Sequence, residues 1–471
     1  MRTLLLLLLL TNTSHAITTA QALADADNFI ATGRRGPATV KILGLPAGAP
    51  VQIRQTRLAW NYGAAIHAAS HLDKSNYVAR FQENFNTVVA GGPGYWLENE
   101  AVRDVVTLGG LERVVDFARD NGMYLRGHNL IYERDQPSWV KPLNNSAMRQ
   151  EISDRIDYYA PLGFDELDVY NESYNGGELG GSGTYWNRLG RAGIAGIYNE
   201  VAAETDAQLC VNDYAALQGA HQGFAQHIDA LRSAGASVEG IGLEYYSDGA
   251  DSNIQKNFRE SFDTMAARGL PVTVTEWGLL QTASPESLRT ALKMSFGHPA
   301  VTGFSVWDWT NLPEWSFATP SALFKVSGNT FTITETGKVW QDVFGIKDWD
   351  GNPANGWRTN VDTVSTAAGF SFTGYYGDYE ITAGGQSYLL ALDKGVTSYV
   401  LGVLPGDFNA DGAVDAADYT TWRDRGGTVA EYDQWRAHFG DSVAAGNAVP
   451  EPKWTALAVV LIVVVMLWRR R

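Results

Sequence analysis

The chain has 471 residues, 45% of them hydrophobic, which suits two or three domains with full cores. Its 52 acidic and 36 basic side chains give a formal net charge of −16, which argues against nucleic acid as a partner because phosphate repels such a surface. The single cysteine, Cys210, lies in an apolar run and excludes an intrachain disulfide, so the fold rests on its own packing.

Residues 1–16 read as a signal peptide: Arg2, an unbroken leucine run too short to span a bilayer, then Ser14-His15-Ala16 as the cleavage site. The body of the protein is then exported, to the cell surface or beyond. Segment 17–56 reads as a small N-terminal β-cap, with two strands in 38–53 around Leu45-Pro46-Ala47-Gly48. From 57 to 345, strand-like runs alternate with amphipathic helical patterns. The strands are 58–66, 85–90, 124–132, 166–171, 207–214, 240–246, 272–277 and 303–309. Helical patterns include 111–121 and 285–296, the second opening with Ser284 as N-cap and proline at its first position. This rhythm predicts an α/β fold, a (β/α)₈ TIM barrel, although a doubly wound sheet shares the same alternation. Acidic, polar and aromatic residues gather where the strands end, the face on which a barrel does its chemistry.

Past the barrel, 346–403 reads as a small β-sandwich. Segment 404–441 is a short acidic helical module in which Tyr419-Thr420-Thr421-Trp422-Arg423 recurs as Tyr432-Asp433-Gln434-Trp435-Arg436. The last segment, 442–471, begins as a small-residue linker. It continues through Pro450-Glu451-Pro452 and an apolar stretch bounded by Trp454 and Trp468 to Arg469-Arg470-Arg471, a pattern for a C-terminal transmembrane segment.

Two glutamates sit where a barrel would make them face each other. Glu172 ends Leu167-Asp168-Val169-Tyr170-Asn171, and Glu276 ends Val272-Thr273-Val274-Thr275. Leaving such a carboxyl without partner or role after an apolar run is unfavourable. A barrel-rim salt bridge explains one of them; a pair explains glycoside hydrolysis, which needs two carboxyls across the scissile bond.

These runs resemble glycoside hydrolase family 10, which contains many endo-β-1,4-xylanases. The likeness rests on Arg126-Gly127-His128-Asn129-Leu130, Gln136-Pro137-Ser138-Trp139, the run 168–172, Val211-Asn212-Asp213-Tyr214, Gly240-Ile241-Gly242, Thr275-Glu276, and Trp307 with Trp315. It implies a retaining mechanism with Glu276 as nucleophile and Glu172 as acid/base, on a β-linked polysaccharide with xylan leading, and no cofactor for catalysis. It also implies that Asn171 holds a sugar hydroxyl and that His128, Trp307 and Trp315 line the sugar beside the cleavage point.

The departures are informative. Where the family has Glu-Asn-x-x-Lys-Trp this chain has Gly91-Gly92-Pro93-Gly94-Tyr95-Trp96, leaving Tyr95 as the candidate contact. The usual Gln-x-His becomes Glu244-Tyr245-Tyr246, with Tyr246 in place to bond the nucleophile. The rebuilt pocket keeps open a different β-glycan, exo cleavage, or a weakly catalytic surface glycan-binding protein.

In the acidic module, Asp407, Asn409, Asp411, Asp415 and Asp418 fall at calcium-loop positions, with Gly412 at the turn and the Ala413 carbonyl as a further ligand. The terminal Asp resembles a dockerin repeat, which implies bound Ca²⁺ and either a cohesin-like partner or a stabilising clip. The Pro-Glu-Pro tail resembles the PEP-CTERM signal, implying an exosortase-type processing enzyme; a permanent anchor is the alternative.

Overall fold

A computed structural model describes residues 17–249, 253–312, 317–353, 356–409 and 411–442. They fall into two compact units: the described parts of Met1–Gly33 and Trp60–Gly356, and those of Arg34–Ala59 and Trp357–Arg471.

In the first unit eight strands close into a parallel barrel: β1 (Asn61–Ile66), β2 (Thr87–Ala90), β3 (Tyr124–Gly127), β4 (Glu166–Asn171), β5 (Gln208–Asp213), β6 (Gly240–Ser247), β7 (Val272–Leu279) and β8 (Val301–Val306). β8 pairs back onto β1, Gly303 opposite Asn61, so the doubly wound alternative is excluded. β2, β4 and β7 are buried on both faces, which is why they read as continuous apolar runs rather than alternating ones. A helix follows each strand, from Ser75–Asn84 after β1 to Glu335–Val343 after β8. The helix Pro285–Phe296 is capped by Ser284, whose hydroxyl accepts from the Ser287 amide.

The second unit contains a β-sandwich. Its four-stranded sheet runs Asn360–Val364, Pro50–Leu58, Gly377–Ala383, Gln386–Leu392; its three-stranded sheet runs Phe370–Tyr375, Arg35–Ile42, Ser398–Leu401. Val40, Ile53, Phe372, Tyr379, Ile381 and Leu390 meet in one core between them.

This corrects the division expected at 17–56 and 346–403. Thr19–Gly33 is a helix of the barrel unit, tied to barrel helices by Asp25–Arg259 at 2.8 Å and Asp27–Lys293 at 2.7 Å. The strands that follow it complete the sandwich instead of forming a cap. Arg35–Ile42 buries every second residue, a pattern that demands a facing sheet, here the four-stranded one, and within its own sheet it pairs with Phe370–Tyr375, Val40 opposite Phe370. Residues 346–353 and Gly356 stay with the barrel unit.

The acidic module forms two helices, Ala416–Asp424 and Val429–His438. The repeated aromatics interleave, Tyr419 with Trp435 and Trp422 with Tyr432, each pair 5.2 Å between ring centroids. Among the described residues no helix is long and apolar enough to cross a membrane. The expected signal peptide (1–16) and apolar tail (454–468) lie outside the described residues.

Candidate active site

A cavity of about 650 Å³ lies at the C-terminal ends of the barrel strands and is lined by both Glu172 and Glu276. Burial pushes both carboxyls above the ordinary glutamate value. Their surroundings then separate them. Glu276 accepts a 2.6 Å hydrogen bond from the Tyr246 hydroxyl and a 3.3 Å bond from Asn212 Nδ2, and His128 Nδ1 stands 3.8 Å away. Glu172 has Arg134 at 3.8 Å, with the Tyr132 hydroxyl and His128 as its other nearby stabilising groups, and among the described residues its buried Oε2 makes no hydrogen bond of good geometry. Two hydrogen bonds and the nearby His128 favour the charged form of Glu276; at Glu172, whose Oε2 accepts no such bond, desolvation favours the neutral form.

The placement of Glu172 has a structural cost. Its backbone is left-handed, φ 51° and ψ 38°, a conformation that costs a non-glycine residue about 1 kcal/mol or more. Neighbours hold it there. Its amide donates to the Asn212 carbonyl of β5 at 2.9 Å, and its carbonyl accepts from Gly176 and Gly177 at 2.8 and 2.9 Å. The π-helical turn Ser173–Glu178 that follows is pinned by Asp213, which accepts from the amides of Tyr174 and Asn175 at 2.7 and 3.1 Å. Ser173 Oγ pairs with His227 Nε2 at 2.9 Å, and His227 Nδ1 with Glu178 at 2.5 Å.

Of the other residues singled out from the sequence, His128, Asn171, Tyr246, Trp307 and Tyr95 all line this cavity. Trp315 lies outside the described residues. Burial alone would neutralise His128, but its 3.0 Å bond to Asp168 and the charge of Glu276 hold it above the usual imidazole value. Asp168 in turn resists burial through the Arg126 guanidinium, which also forms an ion pair with Glu166 at 2.7 Å. Trp307 meets His128 edge-on, centroids 5.1 Å apart. Gly92 and Gly94 explain the altered loop after β2: a Cβ on either would collide with the carbonyl of His67 or His128, so that loop offers Tyr95 alone to the cavity from this stretch.

Among the residues not singled out as site residues, three matter most to the carboxyl pair. Asn212 on β5 bonds Asn171 Oδ1 at 2.8 Å, Glu244 Oε1 at 2.9 Å and Glu276. Glu244 on β6 lies opposite Glu276 in the strand register and lines the same cavity. Asp135 lines it too, its carboxyl pushed up to about 7 by burial. The signal for Glu244 was present in the sequence: an acid inside a strand, two residues before Tyr246.

In the acidic module, Asp407, Asp411 and Asp418 each bring a carboxylate oxygen within 4.8 Å of the others. Asp415 does not join them: it caps the helix Ala416–Asp424, accepting from the Ala417 amide at 2.7 Å. Asn409 bonds Asp411 at 2.8 Å, and the Ala413 amide donates to Asp411 at 3.0 Å.

The model of the family described as Glycosyl hydrolase family 10 matches residues 53–330. Among curated proteins the chain is 26% identical over 362 residues to the anti-sigma-I factor RsgI6 of Acetivibrio thermocellus, covering 72% of this chain and 44% of that protein. It is 25% identical over 374 residues to endo-1,4-beta-xylanase 3 of Arabidopsis thaliana, covering 75% and 46%. The chain thus spans less than half the length of these relatives. Among solved structures, native xylanase 10B from Thermotoga maritima superposes with a TM-score of 0.52 at 20% identity, covering 60% of this chain and 95% of that one. A GH10 protein from Paenibacillus barcinonensis gives 0.52 at 19% identity, covering 60% and 94%, which supports the barrel fold.

Proposed function

Since the chain belongs to glycosyl hydrolase family 10, we propose that it is a retaining β-glycosidase cleaving a β-1,4-linked polysaccharide by double displacement. The observation that carries this is the unequal hydrogen bonding of two buried carboxyls in one cavity, Tyr246 and Asn212 both donating to Glu276 while Glu172 Oε2 is left without such a bond. In the first step the Glu276 carboxylate bonds to the anomeric carbon as the glycosidic bond breaks, and the leaving oxygen takes the proton of Glu172. In the second, Glu172 takes a proton from water as the water oxygen bonds to that carbon and Glu276 departs. Asn171 is the candidate partner of the sugar hydroxyl, with His128, Tyr95 and Trp307 walling the ring.

Xylan is the leading substrate because the xylanases named above are relatives. The loop rebuilt around Gly92, Gly94 and Tyr95 supports a second reading, a different β-glycan. Hydrolysis of xylan, mixed-linkage glucan and mannan by the purified protein tests both. No turnover of any polymer by the folded protein refutes the hydrolase, and a Glu276→Ala variant that keeps wild-type turnover refutes the role of Glu276.

For the acidic module the proposal is a dockerin-like Ca²⁺ clip held by Asp407, Asp411 and Asp418, hard oxygen donors suited to a hard cation. The terminal segments support export, with the Pro-Glu-Pro tail processed or retained at the surface.

A further inference from the structure

Glu244 is a third carboxyl in the cavity that the double displacement does not use. It is 2% exposed, and its Oε1 accepts from Asn212 Nδ2 at 2.9 Å. That nitrogen has two hydrogens and faces three acceptors: Asn171 Oδ1, Glu244 Oε1 and, farthest at 3.3 Å, Glu276 Oε1. The supply is already overdrawn. The second oxygen of Glu244 has no partner among the described residues, and no ion pair reaches Glu244 there. An ionised Glu244 would set two acceptor oxygens against one shared N–H, beside another carboxylate. That leaves the charge with one shared N–H on one side and only the cavity on the other. A protonated Glu244 solves the count: one oxygen accepts from Asn212 and the other carries a hydrogen to donate.

We propose that Glu244 is held as a neutral carboxylic acid and acts as a positioning residue, taking up the Asn212 amide on one oxygen and offering an O–H donor into the cavity from the other. The proposal rests on the hydrolase reading above and deepens it. The groups facing Glu244 come from several elements. Carboxyls arrive from Glu276 on β7, Glu172 and Asp168 on and after β4, and Asp213 on β5; Arg134 and His128 are the cations lining the same cavity, and the phenols are those of Tyr95, Tyr132, Tyr214 and Tyr246. Burial first, then the charges of Glu276 and Glu172, push its carboxyl well above the ordinary value. Acids therefore outnumber cations around it, and ionisation would add a like charge beside Glu276. The neutral acid has a consequence for the reaction. Asn212 stays oriented by Glu244 and so keeps its bond to Asn171, and the field at Glu276 stays that of one carboxylate rather than two.

The test is difference infrared spectroscopy of the full chain, wild type minus Glu244→Gln, in H₂O and D₂O at about pH 7. The expected result is the carbonyl stretch of a carboxylic acid, shifted down in D₂O and missing in the variant. A difference spectrum holding only carboxylate stretches overturns the proposal. A titration of that difference gives a further check, since alkali must convert the band to carboxylate in the wild type alone while the other acids cancel. Kinetics give the second arm. Glu244→Gln keeps a donor and an acceptor in place and should lower kcat/KM by less than about tenfold, whereas Glu244→Ala, which orphans Asn212, should lower it by about a hundredfold, mostly in kcat. Equal losses in the two variants overturn the positioning role. A wild type without activity on any glycan sinks the hydrolase reading and leaves the infrared result to decide the protonation state by itself.

Discussion

The Tyr246 hydroxyl holds the Glu276 carboxylate, and replacing Tyr246 with Phe removes that bond with little change in shape. The hydroxyl donates to Glu276 Oε2 at 2.6 Å in a site where Glu276 is 5% exposed, so no water replaces it freely. A hydrogen bond to a charged group is worth about 1.5–3 kcal/mol. That equals roughly one to two pKa units, or about ten- to 150-fold in rate. The sign follows from which form the bond favours. Tyr246 stabilises the carboxylate and opposes the upward push of burial on Glu276, so its loss raises that carboxyl further. The acid limb of the kcat/KM profile should therefore move about one to two units toward neutral pH, while the alkaline limb, governed by Glu172, holds its place. The assay is kcat/KM across pH on whichever β-glycan the wild type turns over. An unmoved acid limb in a folded Tyr246→Phe protein refutes the reasoning, even where the rate falls.

Glu172→Gln should lower kcat by about 10²–10⁴ on polymer and much less on aryl glycosides, whose leaving groups need no proton; equal losses on both would remove Glu172 from the acid role. Asp135 sits near 7 in the folded chain against an ordinary 3.8, so it binds its proton on folding. Its stabilising contribution is full below about pH 4 and lost as pH rises through about 7. Wild-type Tm should then fall more steeply between about pH 4 and 7 than that of Asp135→Asn, by an amount reflecting a few kcal/mol, and parallel Tm curves would contradict this. Asp418→Asn should abolish the heat of Ca²⁺ binding in calorimetry of the full chain, whereas Asp415→Ala should cost about 1 kcal/mol of helix capping and spare the binding.

Much of the barrel was legible because parallel strands buried on both faces leave unbroken apolar runs, and most of the runs lead into residues that line the cavity, such as His128, Glu172, Tyr246, Glu276 and Trp307. The sandwich was not. Alternation in Arg35–Ile42 reveals that one face is buried but not what buries it, and the partner strand lies more than 300 positions along the chain. The run 58–66 hid a boundary for the same reason: Leu58 ends a sandwich strand and Asn61 begins β1. Within the site, Glu172 and Glu276 stood out because an acid at a strand end is conspicuous. Asn212 did not, since nothing in an amide's identity says that its side chain will reach Asn171, Glu244 and Glu276 at once. Asp415 shows the opposite limit: calcium-loop position and helix N-cap ask for the same side chain, and only its hydrogen bond to the Ala417 amide separates them.

The charge of the cavity also constrains the substrate. Glu98, Asp135, Glu172, Glu244 and Glu276 line it, against Arg134 and His128. Even with Glu172 and Glu244 neutral, a uronic acid seated beside the cleavage point would meet the Glu276 carboxylate with its hydration largely stripped. At roughly 6 Å and an effective dielectric of about 20, each such like pair costs on the order of 2–3 kcal/mol. Arg134 offsets little of this, because its side chain is 73% exposed and screened by solvent. Neutral sugars bear no such penalty. A glucuronic-acid-decorated xylan should accordingly be cut at a distance from its acidic branches, leaving products whose uronate sits away from the newly formed reducing end. Products with the uronate on the sugar that occupied the reacting position, formed as fast as undecorated ones, would show that the acidic wall does not govern which sugars enter.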